Sequence, residues 1–299
     1  MEPLVSVLMS VYDTPDEWLS QAIESVLQQT YQNFEFIIVN DCCKESNKKI
    51  IDFYQQKDSR IIVKENSENL GLTRSLNVGL RIANGELLAR IDADDWALPE
   101  RLARQVECFE KNENLVLCGT AGYSCDKDKQ SCLDVFDETS NTLKCFLTRG
   151  NLFVHSSIMI RLSTMRLFNL TYDEHFKMAQ DYELWCRLRD YGDIMNLPNR
   201  LCVYRVHDKQ ISSKSLNEQN EFRNLIVERN LKYLGIKEDF KSYLILMGYE
   251  KGKIKSMTAF KIATIFSRKL FLKYGFCSKN LIKECLWTAL GMMKHNVFG

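Results

Sequence analysis

Four short apolar runs in the first hundred residues, at 5–11, 34–39, 61–63 and 87–91, constrain the fold of this chain more than any other feature. Each is of strand length and most are rich in β-branched residues, as expected for buried strands. Helical patterns separate them. Leu19, Ala22, Ile23, Val26 and Leu27 recur at helical spacing, residues 50–54 belong to a second helix, and 72–82 suit a third. Thr14-Pro15-Asp16-Glu17 reads as a helix start, with Thr14 as cap, Pro15 in the first turn and Glu17 completing a capping box. Asn69-Leu70-Gly71 reads as a turn, and Asn84-Gly85 closes the third helix. Regular alternation of strand and helix predicts an α/β fold, a mostly parallel central sheet with helices on both faces.

Beyond residue 118 the pattern changes. Residues 123–145 are polar and predict an excursion with short strands, 156–160 a strand, and 201–206 another, with His207 just past its end. Gln180-Asp181 precedes an amphipathic segment at 182–188, in which Leu184, Trp185 and Leu188 have core character. From Leu216 no strand pattern survives, and 222–233, 240–246 and 257–274 are helical in pattern. The expected division is therefore a ligand-binding domain over 1–215 and a helical C-terminal region over 216–299. The net charge of +1 hides an asymmetry, because the last 49 residues carry ten Lys or Arg against one acid, Glu284. Ala259, Ile262, Ala263, Phe266, Leu270 and Tyr274 form an apolar stripe there, with basic residues beside it. Such a helix either lies on an anionic membrane surface or packs on the rest of the protein. Eleven Cys without C-x-x-C spacing argue against both a disulfide framework and a zinc site, and for free thiols in a reducing compartment. No basic-then-apolar leader opens the sequence and no run approaches the ~18 apolar residues of a spanning helix. The expected location is cytoplasmic, peripheral on the inner face of a bacterial membrane.

In a parallel sheet, ligands bind at the carboxyl ends of the strands. The polar residues at those ends are Tyr12, Asp13, Asn40, Asp41 and the run Asp92-Ala93-Asp94-Asp95-Trp96. Three carboxylates within four residues repel one another unless something cationic gathers them, and a hard divalent ion with oxygen ligands does so while accepting diphosphate oxygens as well. Acidic clusters also cap helices and decorate turns, so that reading stays open. No Gly-rich phosphate loop is present, which leaves a metal on the carboxylates as the means of holding a diphosphate. Asp181 stands where a helix cap would, and His207 is either structural or a ligand.

In these residues the chain resembles the family 2 glycosyltransferases of the A-type, nucleotide-diphospho-sugar-binding fold, in particular those of bacterial surface-polysaccharide assembly. Residues 1–215 carry the resemblance. Tyr12-Asp13 is similar to the family's Tyr-Asn at the end of its first strand, and residues 22–31 match its first helix. Asn40-Asp41-Cys42-Cys43 stands where the family has paired Asp followed by Gly-Ser, and Ser75-Leu76-Asn77 where it has Ala-Arg-Asn, with the basic residue moved to Arg74. Asp92-Ala93-Asp94 matches the D-x-D motif and Gln180-Asp181 the Glu-Asp motif, while Tyr204-Arg205-Val206-His207 with Ser212 resembles a subgroup ending.

The resemblance implies an inverting, metal-dependent transferase. It would move a hexose such as galactose or glucose from a nucleotide-sugar, UDP-linked, to a hydroxyl of a lipid-linked glycan in O-antigen or capsule synthesis. Asp41 would bind the uracil or ribose near the Tyr12 backbone, and Arg74 would reach the nucleotide or its diphosphate. Asp92 would contact ribose and metal, Asp94 would ligate Mn²⁺ or Mg²⁺, His207 would assist at metal or diphosphate, and Asp181 would be the base. The partners implied are the donor, an undecaprenyl-diphosphate-linked saccharide and an anionic membrane surface. Nucleic acid is not among them, because aromatic and basic residues do not interleave in the core. Two competing readings are a sugar-phosphate nucleotidyltransferase, which would show a Gly-rich basic loop after the first strand, and an inactive nucleotide-sugar-binding scaffold.

Overall fold

The alternating pattern folds into β1 (Val5–Val11), α1 (Asp16–Leu27), β2 (Phe34–Asn40), α2 (Glu45–Lys57), β3 (Ile61–Glu65), α3 (Leu72–Ile82) and β4 (Leu87–Arg90). The structure is a computed structural model and describes residues 2–126, 129–135, 137–208, 210, 216–236, 240–247 and 256–275. These four strands run parallel in the order β3-β2-β1-β4. Val5, Val7, Leu8, Met9 and Val11 of β1 are buried, as are all seven residues of β2, because helices cover both faces of the sheet.

The sheet then becomes mixed. β5 (Trp96–Ala97), α4 (Arg101–Lys111), β6 (Leu115–Asp126) and β7 (Lys129–Leu133) are followed by a 3₁₀ turn at His155–Ser157, β8 (Met159–Arg161) and, further on, β9 (Asp193–Val206). The full order is β3-β2-β1-β4-β8-β6-β9-β5, with β7 on β6. β8 is antiparallel to β4 and to β6, while β6 and β9 run parallel to each other. The stretch expected as one strand at 156–160 is thus split, with its first part forming the 3₁₀ turn.

Two compact units are present. One comprises Met1–Asp137 and Phe153–Lys214, and the other Glu138–Leu152 and the chain from Ser215. The second unit contains α5 (Ser140–Leu147) and, after α6 (Leu162–Leu167) and α7 (Gln180–Leu188) of the first, α8 (Leu216–Tyr233), α9 (Phe240–Leu246) and α10 (Ser256–Tyr274). α10 packs on α5 and α9, and the Tyr243 and Phe266 rings meet edge to face at 6.1 Å. Ile262, Ala263, Phe266, Leu270 and Tyr274 are all buried. The apolar stripe is therefore the interior of this helical unit and not a membrane face, because α5 and α9 supply the apolar surface it covers. The outward side carries Lys261, Arg268 and Lys273 with Ile265, Phe271 and Leu272. Residues 251–255 and 276–299, and Ser212 of the subgroup ending, lie outside the described residues. No described helix is long and apolar enough to cross a membrane.

α1 begins without the expected capping box: its cap is Pro15, and no side chain caps it. Thr14 is held by Asn47, which accepts from the Thr14 N–H at 3.1 Å and donates to its carbonyl at 2.8 Å. The nine described cysteines are free thiols.

At the amino edge of the sheet, Ser6 Oγ donates to Glu35 at 2.6 Å and accepts from the Gly85 N–H at 2.8 Å. A β-carbon on Gly85 would lie 2.7 Å from both the Leu4 carbonyl and the Ser6 nitrogen, which are main-chain atoms and cannot swing away. Gly85→Ala is expected to cost about 1–3 kcal/mol in urea unfolding. Wild-type stability in that variant would contradict this packing.

Candidate active site

The acidic run leaves the carboxyl end of β4 and is gathered from beneath. Arg90 is fully buried, and both terminal nitrogens of its guanidinium bind the Asp92 carboxylate. Ser156, in the 3₁₀ turn, is fixed beside β4 by the Arg90 N–H donating to the Ile158 carbonyl at 3.1 Å. Its Oγ accepts from the Asp92 N–H at 3.1 Å and lies 2.8 Å from Asp92 Oδ2, and it also bonds Asp95 Oδ2.

Arg90 Nη1 donates to the same Oγ at 3.3 Å, so both lone pairs of the hydroxyl are filled by N–H groups and its one proton lies between the Asp92 and Asp95 carboxylates. The three acids sit in different fields. Burial, then the charges of Asp92 and Asp94, push the Asp95 carboxyl well above its usual range. Burial also acts to raise Asp92, but the charge and hydrogen bonds of Arg90 outweigh it and hold Asp92 below the ordinary value. Asp94 is raised by burial and by Asp92, against the opposing bond from His207.

β9 closes the site from the other side. β5 pairs with it, Trp96 opposite Val203, which brings the end of β9 over the acidic run. The Arg205 N–H donates to Asp95 Oδ1 at 2.8 Å, and Arg205 Nε donates to the Asp94 carbonyl at 2.8 Å. His207 Nε2 is 2.9 Å from Asp94 Oδ2, and its ring lies 4.8 Å from that of Trp18 on α1.

One ligand atom from each of Asp92, Asp94 and Asp95 falls within 4.8 Å of the others. Carboxylate oxygens joined by one imidazole suit a hard divalent cation of the Mg²⁺ or Mn²⁺ kind. The three acids are not equivalent. Asp95 is turned inward, its carboxyl pushed well above the usual range, and Asp92 is paired with Arg90. Asp94 and His207 are the groups whose ligand atoms face each other at the strand ends.

The remaining expected residues divide. Tyr12 is exposed at the end of β1. Asp41 is buried at the end of β2, and its carboxylate accepts from Asn66 Nδ2, the Leu70 N–H and the Gly71 N–H at 2.8–2.9 Å. It therefore shapes the 66–71 loop, with one of a carboxylate's about four acceptor positions left over. Cys42, after it, adopts φ 55°, the left-handed region that favours Gly. Arg74 is exposed on α3 and pairs with Glu174 at 3.1 Å. Asp181 is not a cap: α7 starts at Gln180, and its cap is Ala179 at φ 56° with no side-chain bond. Asp181 lies half-buried in the first turn, where the helix dipole favours its charged form. Its charge helps to raise the Tyr172 phenol, after burial. That phenol is 3.0 Å from Nε2 of His155, whose imidazole is driven well below its usual pKa by burial and by Arg90, and so is neutral.

Arg90, Ser156, His155 and Tyr172 are site residues that no motif singled out, and Arg205 stood in the Tyr204–His207 motif without a role of its own. Arg90 did leave a signal, a lone charge inside an otherwise apolar strand.

Residues 6–176 match the sequence profile described as Glycosyl transferase family 2. The chain belongs to this family. Among relatives, an uncharacterized glycosyltransferase of Methanocaldococcus jannaschii is 39% identical over 216 residues, 70% of this chain and 72% of that one. The Escherichia coli enzyme named UDP-Glc:alpha-D-GlcNAc-diphosphoundecaprenol beta-1,3-glucosyltransferase WfaP is 26% identical over 260 residues, 86% of this chain and 97% of that one. In fold, this family 2 chain is similar to Staphylococcus aureus TarS residues 1–349, solved in complex with UDP. The TM-score is 0.64 and the identity 15%, covering 97% of this chain and 88% of that one. The protein is thus a glycosyltransferase of the A-type fold.

Removing the Ser156 hydroxyl takes the bridging hydrogen-bond partner from both Asp92 and Asp95. Ser156→Ala is expected to destabilise the protein by about 1–3 kcal/mol in chemical denaturation. Unchanged stability would mean that Ser156 does not bridge the two acids.

Proposed function

We propose that this glycosyltransferase transfers a hexosyl group from a UDP-sugar to a hydroxyl of a glycan carried on a lipid diphosphate, with inversion at the anomeric carbon. The observation that carries this reading is the meeting of Asp92, Asp94 and Asp95 at the carboxyl edge of the sheet, with His207 Nε2 lying 2.9 Å from Asp94 Oδ2. Asp92, Asp94 and His207 would hold a divalent cation, Mn²⁺ or Mg²⁺, which when bound supplies Lewis-acid stabilisation to a departing diphosphate.

The chain's own residues do the rest. Asp41 fixes the loop against which the uridine rests, and Tyr12 offers an exposed ring beside it. Arg74, at the surface, exchanges Glu174 for the nucleotide. A carboxylate oxygen of Asp181 takes the proton of the acceptor hydroxyl as that oxygen attacks the anomeric carbon and the bond to the diphosphate oxygen breaks. One displacement with one base needs no covalent intermediate on the protein, as in inverting hydrolysis with a sugar in place of water. The lipid-linked acceptor is supported by the name of the E. coli relative, and a place on an anionic membrane by the basic residues after Lys251. With the apolar stripe of α10 buried, such binding rests on charge together with Phe271 and Leu272. Assembly of a surface polysaccharide, O-antigen or capsule, on the cytoplasmic side of the membrane follows as the setting.

Asp181→Asn is isosteric and leaves the fold of α7 without need of a cap. It is expected to lower transfer by about 10²–10⁴-fold while UDP affinity, measured by calorimetry with Mn²⁺, stays at the wild-type value. Excess EDTA should abolish wild-type transfer. Near-normal transfer by Asp181→Asn would place the base elsewhere, and full turnover in EDTA would remove the cation from the reaction.

A further inference from the structure

Arg205 sits in an arrangement that the family motifs do not explain. Its guanidinium is sandwiched between two indoles, with its central carbon 4.6 Å from the Trp18 ring centre and 4.7 Å from that of Trp96. Its edges meet neutral acceptors: Nε donates to the Asp94 carbonyl at 2.8 Å, and Nη2 donates to Gln21 Oε1 at 2.6 Å. It forms no ion pair with a carboxylate among the described residues. Solubility or a simple surface salt bridge would call for none of this. A half-buried cation at the end of β9 is stabilised here by two π faces and a main-chain carbonyl, and those groups come from two separate places, α1 and the acidic run.

We propose that Arg205 is a positioning residue for the acidic run, locking the Asp94 main chain and Trp96 against α1 so that Asp94 and His207 present their ligand atoms together before any cation arrives. The proposal rests on the assignment of that run as the cation site. Arg90 and Ser156 hold the run from the core side through hydrogen bonds to Asp92 and Asp95. Among the described residues, the Asp94 carbonyl accepts a side-chain hydrogen bond from Arg205 alone, and its carboxylate is bonded by His207, two residues further along the same strand end. Trp18 also lies against His207, so a single indole supports both the clamp and the imidazole. The Arg205 main chain adds an N–H to Asp95 and a carbonyl that accepts from Gln210 Nε2. The clamp therefore joins residues far apart in sequence into one rigid edge. Loss of the guanidinium frees Asp94 while leaving Asp92 and Asp95 in place.

The test is Mn²⁺ binding to the full-length protein in saturating UDP, followed by the electron paramagnetic resonance signal of free Mn²⁺. Arg205→Met keeps the length of the side chain, and Arg205→Lys keeps its charge. Both retain the main-chain bond to Asp95. Both are expected to lose about tenfold or more in Mn²⁺ affinity, the range found when residues that orient metal ligands are removed. Lys should fail to rescue, because an ammonium cannot fill a planar slot between two rings while also meeting the Asp94 carbonyl. Melting temperatures should remain near wild type. Trp18→Leu, which removes one wall of the clamp, should weaken Mn²⁺ binding in the same direction and serves if Arg205→Met does not fold. Mn²⁺ affinity within about twofold of wild type in Arg205→Met, or full recovery in Arg205→Lys, would overturn the proposal. Wild-type protein that binds no Mn²⁺, or binds it unaltered after Asp94→Ala, would overturn the cation assignment and the proposal with it.

Discussion

The structure depends on one buried ion pair. Arg90 lies inside an apolar strand, and its guanidinium grips the Asp92 carboxylate at the strand's end. A buried arginine without a partner is severely penalised, and so are three neighbouring carboxylates without a counter-charge. Set two residues apart on the same strand, each offsets the cost of the other. The acidic cluster can then persist at the sheet edge without a bound ion. Ser156 links Asp92 to Asp95 by hydrogen bonds and leaves Asp94 as the acid facing His207. Under the proposed reading, a cation at this edge would meet a net charge already reduced by Arg90, and tight occupancy would depend on the further oxygens a diphosphate brings.

The two halves of the sheet contribute differently. The parallel half, β3-β2-β1-β4, delivers Asp41 and the acidic run to one edge, as open parallel sheets do with their ligand-binding residues. The mixed half does the holding. β8 sits against β4, bringing the turn with Ser156 and His155, and β9 pairs with β5 so that Arg205 and His207 reach back over the acids. α1, with Trp18 and Gln21, closes the contact from the first half. The site is therefore a seam between elements about a hundred residues apart in sequence, such as Asp94 and His207.

What could be read from the sequence follows from what is local. Strand runs, helix faces and the acidic tetrad have short-range signatures, and they placed Tyr12, Asp41 and Asp92 at one edge. Thr14 looked like a cap because caps are read locally, yet Asn47 on another helix claims its backbone. Asp181 looked like a cap for the same reason, but with Ala179 as cap the helix starts two residues earlier than a cap at Asp181 requires. The stripe on α10 had the period of a surface-binding helix, and only the presence of α5 and α9 shows that it is covered. Arg205 was visible as a residue but not as a partner, since it acts across long sequence distances, whereas Arg90 pairs two residues away and is hidden because a charge inside an apolar strand gives no sign of where it points. Ser156 carried no signal at all, because a serine in a short apolar run looks like any other strand residue.

The central claim is that the run beginning at Asp92 is the cation and diphosphate centre of a sugar-transfer enzyme. The most direct test is a crystal of the protein with Mn²⁺ and UDP, with diffraction measured at the manganese absorption edge. The account predicts one strong anomalous peak within ligand distance of Asp94 and His207, with the diphosphate oxygens on its open side. A peak elsewhere, or UDP bound at another edge of the sheet with no ion near Asp94, would contradict it.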